Sequence, residues 1–242
     1  MRRAYYTDQD VVIYHGDCME ILPGLGIEAG LILTDPPYGT ETHSNARSLA
    51  KESAETEGVR RIVGSDADRI DFACVTVDDL RSMLWLLAPL TARWLVCFAQ
   101  WQHAAALDTK PPGGLDMVRV GAWIKTNPCP QISGDRPAHG WETICYMHRS
   151  GIRKRWNGGG HHGNHCGPKP TRPVHPTEKP LDLLGTIVQR FSDPGDLILD
   201  PFAGSGTTGL AAVAHGRQAL LVELDERYCE IAARRLSQGR LL

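Results

Sequence analysis

The chain reads as short apolar runs separated by polar joints rich in Gly and Pro. Runs at residues 11–14, 30–34, 94–98, 196–200 and 218–223 are brief, aliphatic and nearly free of alternation, as strands buried on both faces are. Residues 117–125 and 142–148 read as two further strands. Residues 78–90 follow the helical period: Leu80, Met83, Leu84 and Leu87 share one face, Asp78 is the expected N-cap, and Pro89 lies near the end. Helices are also predicted over 100–107, 181–191, 207–215 and 226–236, with a short helix or turn at 19–22. Strands alternating with helices predict a mostly parallel sheet covered by helices on both faces. Three stretches break the pattern. Residues 41–71 are a polar excursion with at most a short helix near 48–55, 126–140 form a Pro- and Gly-rich loop, and 150–173 lack apolar periodicity and read as a linker or recognition loop outside the core.

A length of 242 residues predicts one domain over residues 1–242. The formal charge of −2 gives no overall sign of a nucleic-acid partner, but the charge is unevenly placed. Between residues 149 and 179 stand seven Lys or Arg and a single acid, Glu178. Such a segment suits a phosphate backbone, and it also suits a solvated loop. The seven cysteines are scattered and form no CxxC pair, which predicts reduced thiols and a cytoplasmic setting. No signal peptide is visible, and the longest apolar run, 83–90, is too short to span a bilayer.

Two loops carry the chemistry. Asp200-Pro201-Phe202-Ala203-Gly204-Ser205-Gly206-Thr207-Thr208-Gly209 follows a strand and opens a helix, so its glycines permit a tight turn and close approach of a ligand to the backbone. Glu223 ends the next strand, where an acid can hold ribose hydroxyls. A nicotinamide enzyme would share this pattern. However, only residues 210–242 follow, too few for a second nucleotide-binding half, and Asp200 would repel a pyrophosphate while suiting a sulfonium or ammonium. The second loop, Asp35-Pro36-Pro37-Tyr38, also follows a strand. Its prolines remove two donors and leave carbonyls free to accept. Asp35 and the Pro36 carbonyl could take the hydrogens of an exocyclic amine while Tyr38 stacks on the heterocycle.

These residues resemble the amino-group DNA methyltransferases, which act on adenine N6 or cytosine N4. Asp35-Pro36-Pro37-Tyr38 is similar to their catalytic motif, and residues 200–207 to their cofactor motif. His175-Pro176-Thr177-Glu178-Lys179-Pro180 is similar to the segment that closes over the cofactor, Asp17 to the acid near its adenine, and Glu223 to the ribose acid. The catalytic motif comes first and the cofactor motif last, the order of the permuted β group. The resemblance covers most of the chain outside 41–71 and 150–173. It implies an α/β, Rossmann-like S-adenosylmethionine-dependent fold with a mostly parallel seven-stranded sheet, one antiparallel edge strand and helices on both faces. It implies S-adenosylmethionine as cofactor, held by Asp17, His175, Thr177, Lys179, Asp200, Phe202, Ala203, Gly204, Ser205, Gly206, Thr207, Thr208 and Glu223. In this reading Thr177 and Lys179 reach the methionine carboxylate.

The implied reaction is direct displacement on double-stranded DNA after the base leaves the stack. Asp rather than Ser in the first position of the catalytic motif favours adenine N6 over cytosine N4; RNA, a protein amide and a non-catalytic DNA-binding module are the rivals. Arg153, Lys154, Arg155, Trp156, Lys169 and Arg172 are the expected DNA contacts, with Trp156 as a stacking or wedging residue. A recognition segment this short fits a short target, a homodimer or weak sequence preference. A restriction endonuclease partner cannot be read from these residues. The cluster His161-His162-Gly163-Asn164-His165-Cys166 lacks paired ligands elsewhere and is read as loop histidines near DNA, with no metal.

Overall fold

The structure is a computed structural model and describes residues 3–37, 76–175 and 177–238. Tyr38, Pro176, the excursion 41–71 and the short helix expected within it lie outside the described residues. Among the described residues, nine strands form one sheet: β1 (Tyr6–Thr7), β2 (Val11–His15), β3 (Ala29–Thr34), β4 (Thr91–Ala99), β5 (Leu115–Lys125), β6 (Trp141–Arg149), β7 (His165–Gly167), β8 (Leu197–Asp200) and β9 (Gln218–Glu223). Their order is β1-β2-β9-β8-β3-β4-β6-β5-β7. The central five, β2, β9, β8, β3 and β4, are all parallel. The α/β fold with its mostly parallel sheet is therefore as expected, but the sheet has nine strands rather than seven. Two strands run antiparallel to their neighbours: β1, at the edge of the sheet as expected, and the longer β6, internal between β4 and β5. The two additional strands, β1 and β7, are two and three residues long, too short to show any periodicity.

Both faces of the sheet are covered, which is why β3 is buried at every position. Leu31, Leu33, Val96 and Phe98 point toward α4 (Leu181–Phe191), α5 (Thr207–Ala214) and α6 (Glu226–Gln238). Ile32, Leu95 and Cys97 point the other way, toward α1 (Cys18–Ile21), α2 (Val77–Leu87) and α3 (Trp101–Thr109). Each fully buried Leu or Ile contributes roughly 1.5–3 kcal/mol. The start of α2 differs from the expected one. Thr76, not Asp78, is the N-cap: its Oγ accepts from the Asp79 N–H at 3.1 Å, and the Asp79 carboxylate accepts from the Thr76 N–H at 2.9 Å. This reciprocal box satisfies two orphan donors, which Asp78 alone could not do.

Residues 150–173 are stitched to the sheet rather than forming a free linker. The Trp94 indole donates to the Arg155 carbonyl at 2.5 Å. Trp156 is half-buried, edge-on to Phe191 with centroids 5.3 Å apart. Asn157 donates to the Ser192 carbonyl at 2.8 Å, and Tyr146 Oη donates to the Gly163 carbonyl at 2.7 Å. Gly121 makes this possible, because a Cβ there would collide with the Gly163 carbonyl and the Tyr146 ring. The contacts come from single aromatic and amide side chains, which hydrophobic periodicity does not register. Trp156→Ala is therefore expected to lower unfolding free energy by about 2 kcal/mol, below the range for a fully buried Trp because this ring is part exposed. A urea-melt midpoint equal to that of the wild type would show that the contact contributes nothing.

Candidate active site

A parallel sheet delivers every strand's carboxyl end to one edge, and the predicted motif residues collect there. β2 runs directly into Gly16-Asp17 and β3 into Asp35, while β9 ends at Glu223 and β8 at Asp200. Asp17, Asp35, Pro36, Pro37, Phe202, Ala203, Gly204, Glu223, His175, Thr177 and Lys179 line a single cavity of about 1370 Å³. The catalytic-type and glycine-rich loops leave neighbouring strands, because β3 pairs with β8.

The glycine-rich loop is held from three directions. Gly206 is the N-cap of α5 with φ of +81°, and a Cβ there would lie 2.8 Å from that of Ala232, so only glycine fits. The Arg235 guanidinium donates to the Ser205 carbonyl at 2.9 Å, to Ser205 Oγ at 2.8 Å and to Thr207 Oγ at 3.3 Å. It also pairs with Glu178 at 2.8 Å, and Glu178 in turn accepts from Thr207 Oγ at 3.1 Å and from the Val174 N–H at 2.8 Å. Val174 and Glu178 are thereby pinned beside the loop. His175 packs edge-on to Tyr228 at 4.4 Å, and a Cβ on Gly204 would stand 3.5 Å from its ring. Burial, then the nearby Lys179 charge, lowers the His175 pKa to about 4, so its ring is neutral.

Two acids complete this half. Glu223 accepts from the Gly204 N–H at 2.7 Å and the Asp225 N–H at 2.9 Å; burial raises its pKa despite these bonds. Asp200 is buried and accepts from the Phe202 N–H at 3.0 Å and Thr208 Oγ at 2.6 Å. Burial pushes its carboxyl up to about 7, outweighing those two bonds. Asp17 caps α1, accepting from the Met19 N–H at 2.8 Å. The open side of the loop, its left-handed glycines and Glu223 at the strand end fit a nucleoside-bearing cofactor with an amino-acid tail.

In the other half, the Lys179 ammonium pairs with the Asp35 carboxylate and lies 3.2 Å from Glu142. Glu142 also pairs with Lys125 at 2.6 Å. Glu142, Lys125 and Arg235 are the site residues that sequence reading missed. Arg235 was detectable, since it falls seven residues after Tyr228 and three after Ala232, on the stripe of α6 that packs inward. Glu142 is the second residue of β6, immediately before six buried residues, a weaker signal.

The expected DNA contacts separate into two groups. β6 runs against β4, so it carries the chain from the cavity edge at Trp141 to the far edge at Arg149. Arg153, Lys154, Arg155 and Trp156 follow it there. Lys154 pairs with Asp116 at 2.6 Å, Arg155 pairs with Asp193, and Trp156 packs on Phe191. The structure does not bring these four to the cavity. β7 then returns the chain, and Lys169 lines the cavity with Arg172 exposed three residues on. His165 lies 3.2 Å from Tyr146 Oη, and among the described residues no three His, Cys, Asp or Glu side chains converge as a metal site requires.

The sheet with these two loops at one edge is that of an S-adenosylmethionine-dependent methyltransferase. The family pattern described as DNA methylase (N6_N4_Mtase) matches residues 29–234, and the chain belongs to that family. The Type II methyltransferase M2.LlaDCHI of Lactococcus lactis subsp. cremoris is 26% identical over 256 residues, covering 99% of this chain and 94% of that protein. Type II methyltransferase M2.DpnII of Streptococcus pneumoniae is 26% identical over 253 residues, covering 98% and 93%. Two solved structures share the fold. The M1.HpyAVI–SAM complex matches with a TM-score of 0.68 at 23% identity, covering 93% of this chain and 99% of that one. The PvuII DNA methyltransferase (cytosine-N4-specific) matches with a TM-score of 0.70 at 14% identity, covering 98% and 94%. No helix among the described residues is long and apolar enough to cross a membrane.

The Asp200 pKa gives a pH test. Between its ordinary 3.8 and about 7, the native state keeps a proton that the unfolded chain releases, so this group's contribution to stability falls as pH rises through that window. His165 and His175, both lowered to about 4 mainly by burial, act oppositely: below 6.5 the unfolded chain takes up protons that the native state refuses. Comparing the wild type with Asp200→Asn isolates the first effect. The variant's relative stability should rise between about pH 5 and about pH 7 and level off above that. Parallel urea-denaturation profiles across that range would show that Asp200 ionises normally.

Proposed function

We propose that this chain methylates the exocyclic N6 of adenine in double-stranded DNA. The observation that carries the reading is the single cavity shared by the Asp35 loop and the glycine-rich loop, with acceptors on one side and a backbone cradle on the other. Gly204, Ser205, Gly206, Thr207, Phe202, Ala203, His175, Thr177, Asp17 and Glu223 would hold S-adenosylmethionine, which when bound supplies a sulfonium-activated methyl group. Asp35 and the Pro36 carbonyl would accept hydrogen bonds from the two N–H groups of the target amine. This turns the nitrogen lone pair toward the methyl donor and favours the tetrahedral geometry of the transition state. The nitrogen, once methylated, releases one of those protons. Tyr38, next in the chain, is the proposed stacking partner of the base. No cysteine is required: Cys18, Cys97, Cys145 and Cys229 are buried, and burial raises the thiol pKa of each.

Extruding the base costs a few kcal/mol, recovered from the pocket and from phosphate contacts. Lys169 and Arg172, on the cavity side, are the proposed phosphate ligands. Arg153, Lys154, Arg155 and Trp156 follow β6 at the opposite edge of the sheet and are not part of this proposed contact. Asp in the first catalytic position is what favours adenine over cytosine.

Digestion of methylated DNA to nucleosides should yield N6-methyladenosine, and 4-methylcytosine would replace the adenine assignment. Asp35→Ala should lower kcat by about 10²–10³-fold, and unchanged turnover would remove Asp35 from the chemistry. The double variant Lys169→Ala/Arg172→Ala should weaken DNA binding and reduce its salt dependence. The triple variant Arg153→Ala/Lys154→Ala/Arg155→Ala should leave both near the wild-type values. The reverse outcome in salt titrations would put the DNA on the other edge.

A further inference from the structure

Four side chains from four segments form a line of alternating charge along the cavity wall. Lys125 ends β5, Glu142 is the second residue of β6, Lys179 precedes α4 and Asp35 follows β3. Lys125 meets one Glu142 oxygen at 2.6 Å, Lys179 meets the other at 3.2 Å, and Lys179 also pairs with Asp35. The Lys179 side chain is only 5% exposed, and its ammonium lies 5.0 Å from the centre of the Phe98 ring. Burial alone would lower the Lys179 pKa, but Asp35 and Glu142 outweigh it and the net shift is upward. Burial alone would raise that of Glu142, but Lys179 and Lys125 bring it below the ordinary value. Both groups therefore stay charged at neutral pH, and the line holds two cations against two anions.

We propose that Lys179 and Glu142 are positioning residues for methyl transfer: the line of charges fixes the direction of the Asp35 carboxylate, and Lys179 serves that carboxylate rather than the cofactor's. The inference rests on the reading of Asp35 given above. A carboxylate at the end of a strand can rotate about its side-chain bonds. A buried ammonium, itself held by Glu142, restricts that rotation before any base arrives. Misplacing a reacting group by about 1 Å can cost about 10²-fold in rate, so the restriction belongs to turnover and not to affinity. Glu142 has a further role. Without it, Lys179 would have one fewer anion to hold it in the pocket and could turn toward the open cavity. Lys125 anchors Glu142 from the adjacent strand, so the line ends on the rigid ladder of β5 and β6.

The test separates turnover from cofactor binding. S-adenosylmethionine affinity is measured by calorimetry, and kcat and KM by transfer of a labelled methyl group to DNA. Lys179→Met should lower kcat by about 10²-fold and Glu142→Gln by about tenfold, with cofactor Kd and DNA KM within about threefold of the wild type. Lys179→Arg should recover part of the loss. Glu142→Gln preserves size and an acceptor oxygen, so it supplies the readout even where Lys179→Met fails to fold. A tenfold or greater loss of cofactor affinity in Lys179→Met, with kcat kept at saturation, would make Lys179 a cofactor ligand and overturn the proposal. Unchanged kcat in Glu142→Gln would overturn it too. Wild-type protein that binds S-adenosylmethionine but leaves DNA unmethylated would instead refute the reading on which the proposal rests.

Discussion

Five adjacent parallel strands, buried on both faces, impose the geometry from which the site follows. A strand covered on both sides has no polar position to spare, so its chemistry must sit where it ends. β2, β9, β8, β3 and β4 run the same way, so their carboxyl ends share an edge, and Asp17, Glu223, Asp200 and Asp35 are the residues found there. β8 and β3 are neighbours in space although some 160 positions separate them in the chain. That adjacency, rather than proximity in sequence, is what places the glycine-rich loop next to the Asp-Pro-Pro turn.

The edge would be a set of loose loops without two clamps from outside the sheet. Arg235, on the last helix, ties Ser205, Thr207 and Glu178 together, joining the glycine-rich loop to the segment that covers it. Lys179, one residue beyond Glu178, ties the same segment to Asp35. Residues 178 and 179 therefore bridge the two halves of the site, one by its carboxylate and one by its ammonium. A charged pair held in this way is expensive to bury and stabilises little on net, so its presence points to a demand for geometry.

The sequence discloses this site unevenly, and the unevenness has physical causes. The two loops are legible because their chemistry is local: prolines, glycines and an acid immediately after an apolar run. The principal strands and helices are legible because each is long enough to show its period. β1 and β7 are not, since two or three residues owe their conformation to the partner strand. Trp156 reads as a surface wedge because its neighbours are basic, yet it packs on Phe191, a contact across 35 positions. The basic run reads as one face because sequence cannot show that β6 is antiparallel, which sends residues 153–156 to one edge while β7 returns Lys169 to the other. Lys179 is found by its motif, but its partners Asp35 and Glu142 come from elsewhere in the chain and only the fold supplies them.

Asp35 and Asp200 show how one edge treats two acids at adjacent strand ends differently. Asp200 has no cation within bonding distance among the described side chains; its oxygens are used on the Phe202 N–H and Thr208 hydroxyl of its own loop, and burial raises its carboxyl toward neutrality. It therefore shapes the glycine-rich turn more than it presents charge to a ligand, which differs from the electrostatic role its motif position implies. Asp35 instead has a dedicated ammonium, and through it a second carboxylate and a second ammonium. The cavity thus keeps its strongest fixed dipoles on the side where an amine would dock. On the other side it offers backbone N–H groups, and burial there raises the carboxyls of Asp200 and Glu223. A site built to bind a cationic sulfonium by charge alone would have been arranged the other way round. In the proposed reading, this arrangement directs its electrostatics at the acceptor amine and leaves the donor to be held by shape and hydrogen bonds.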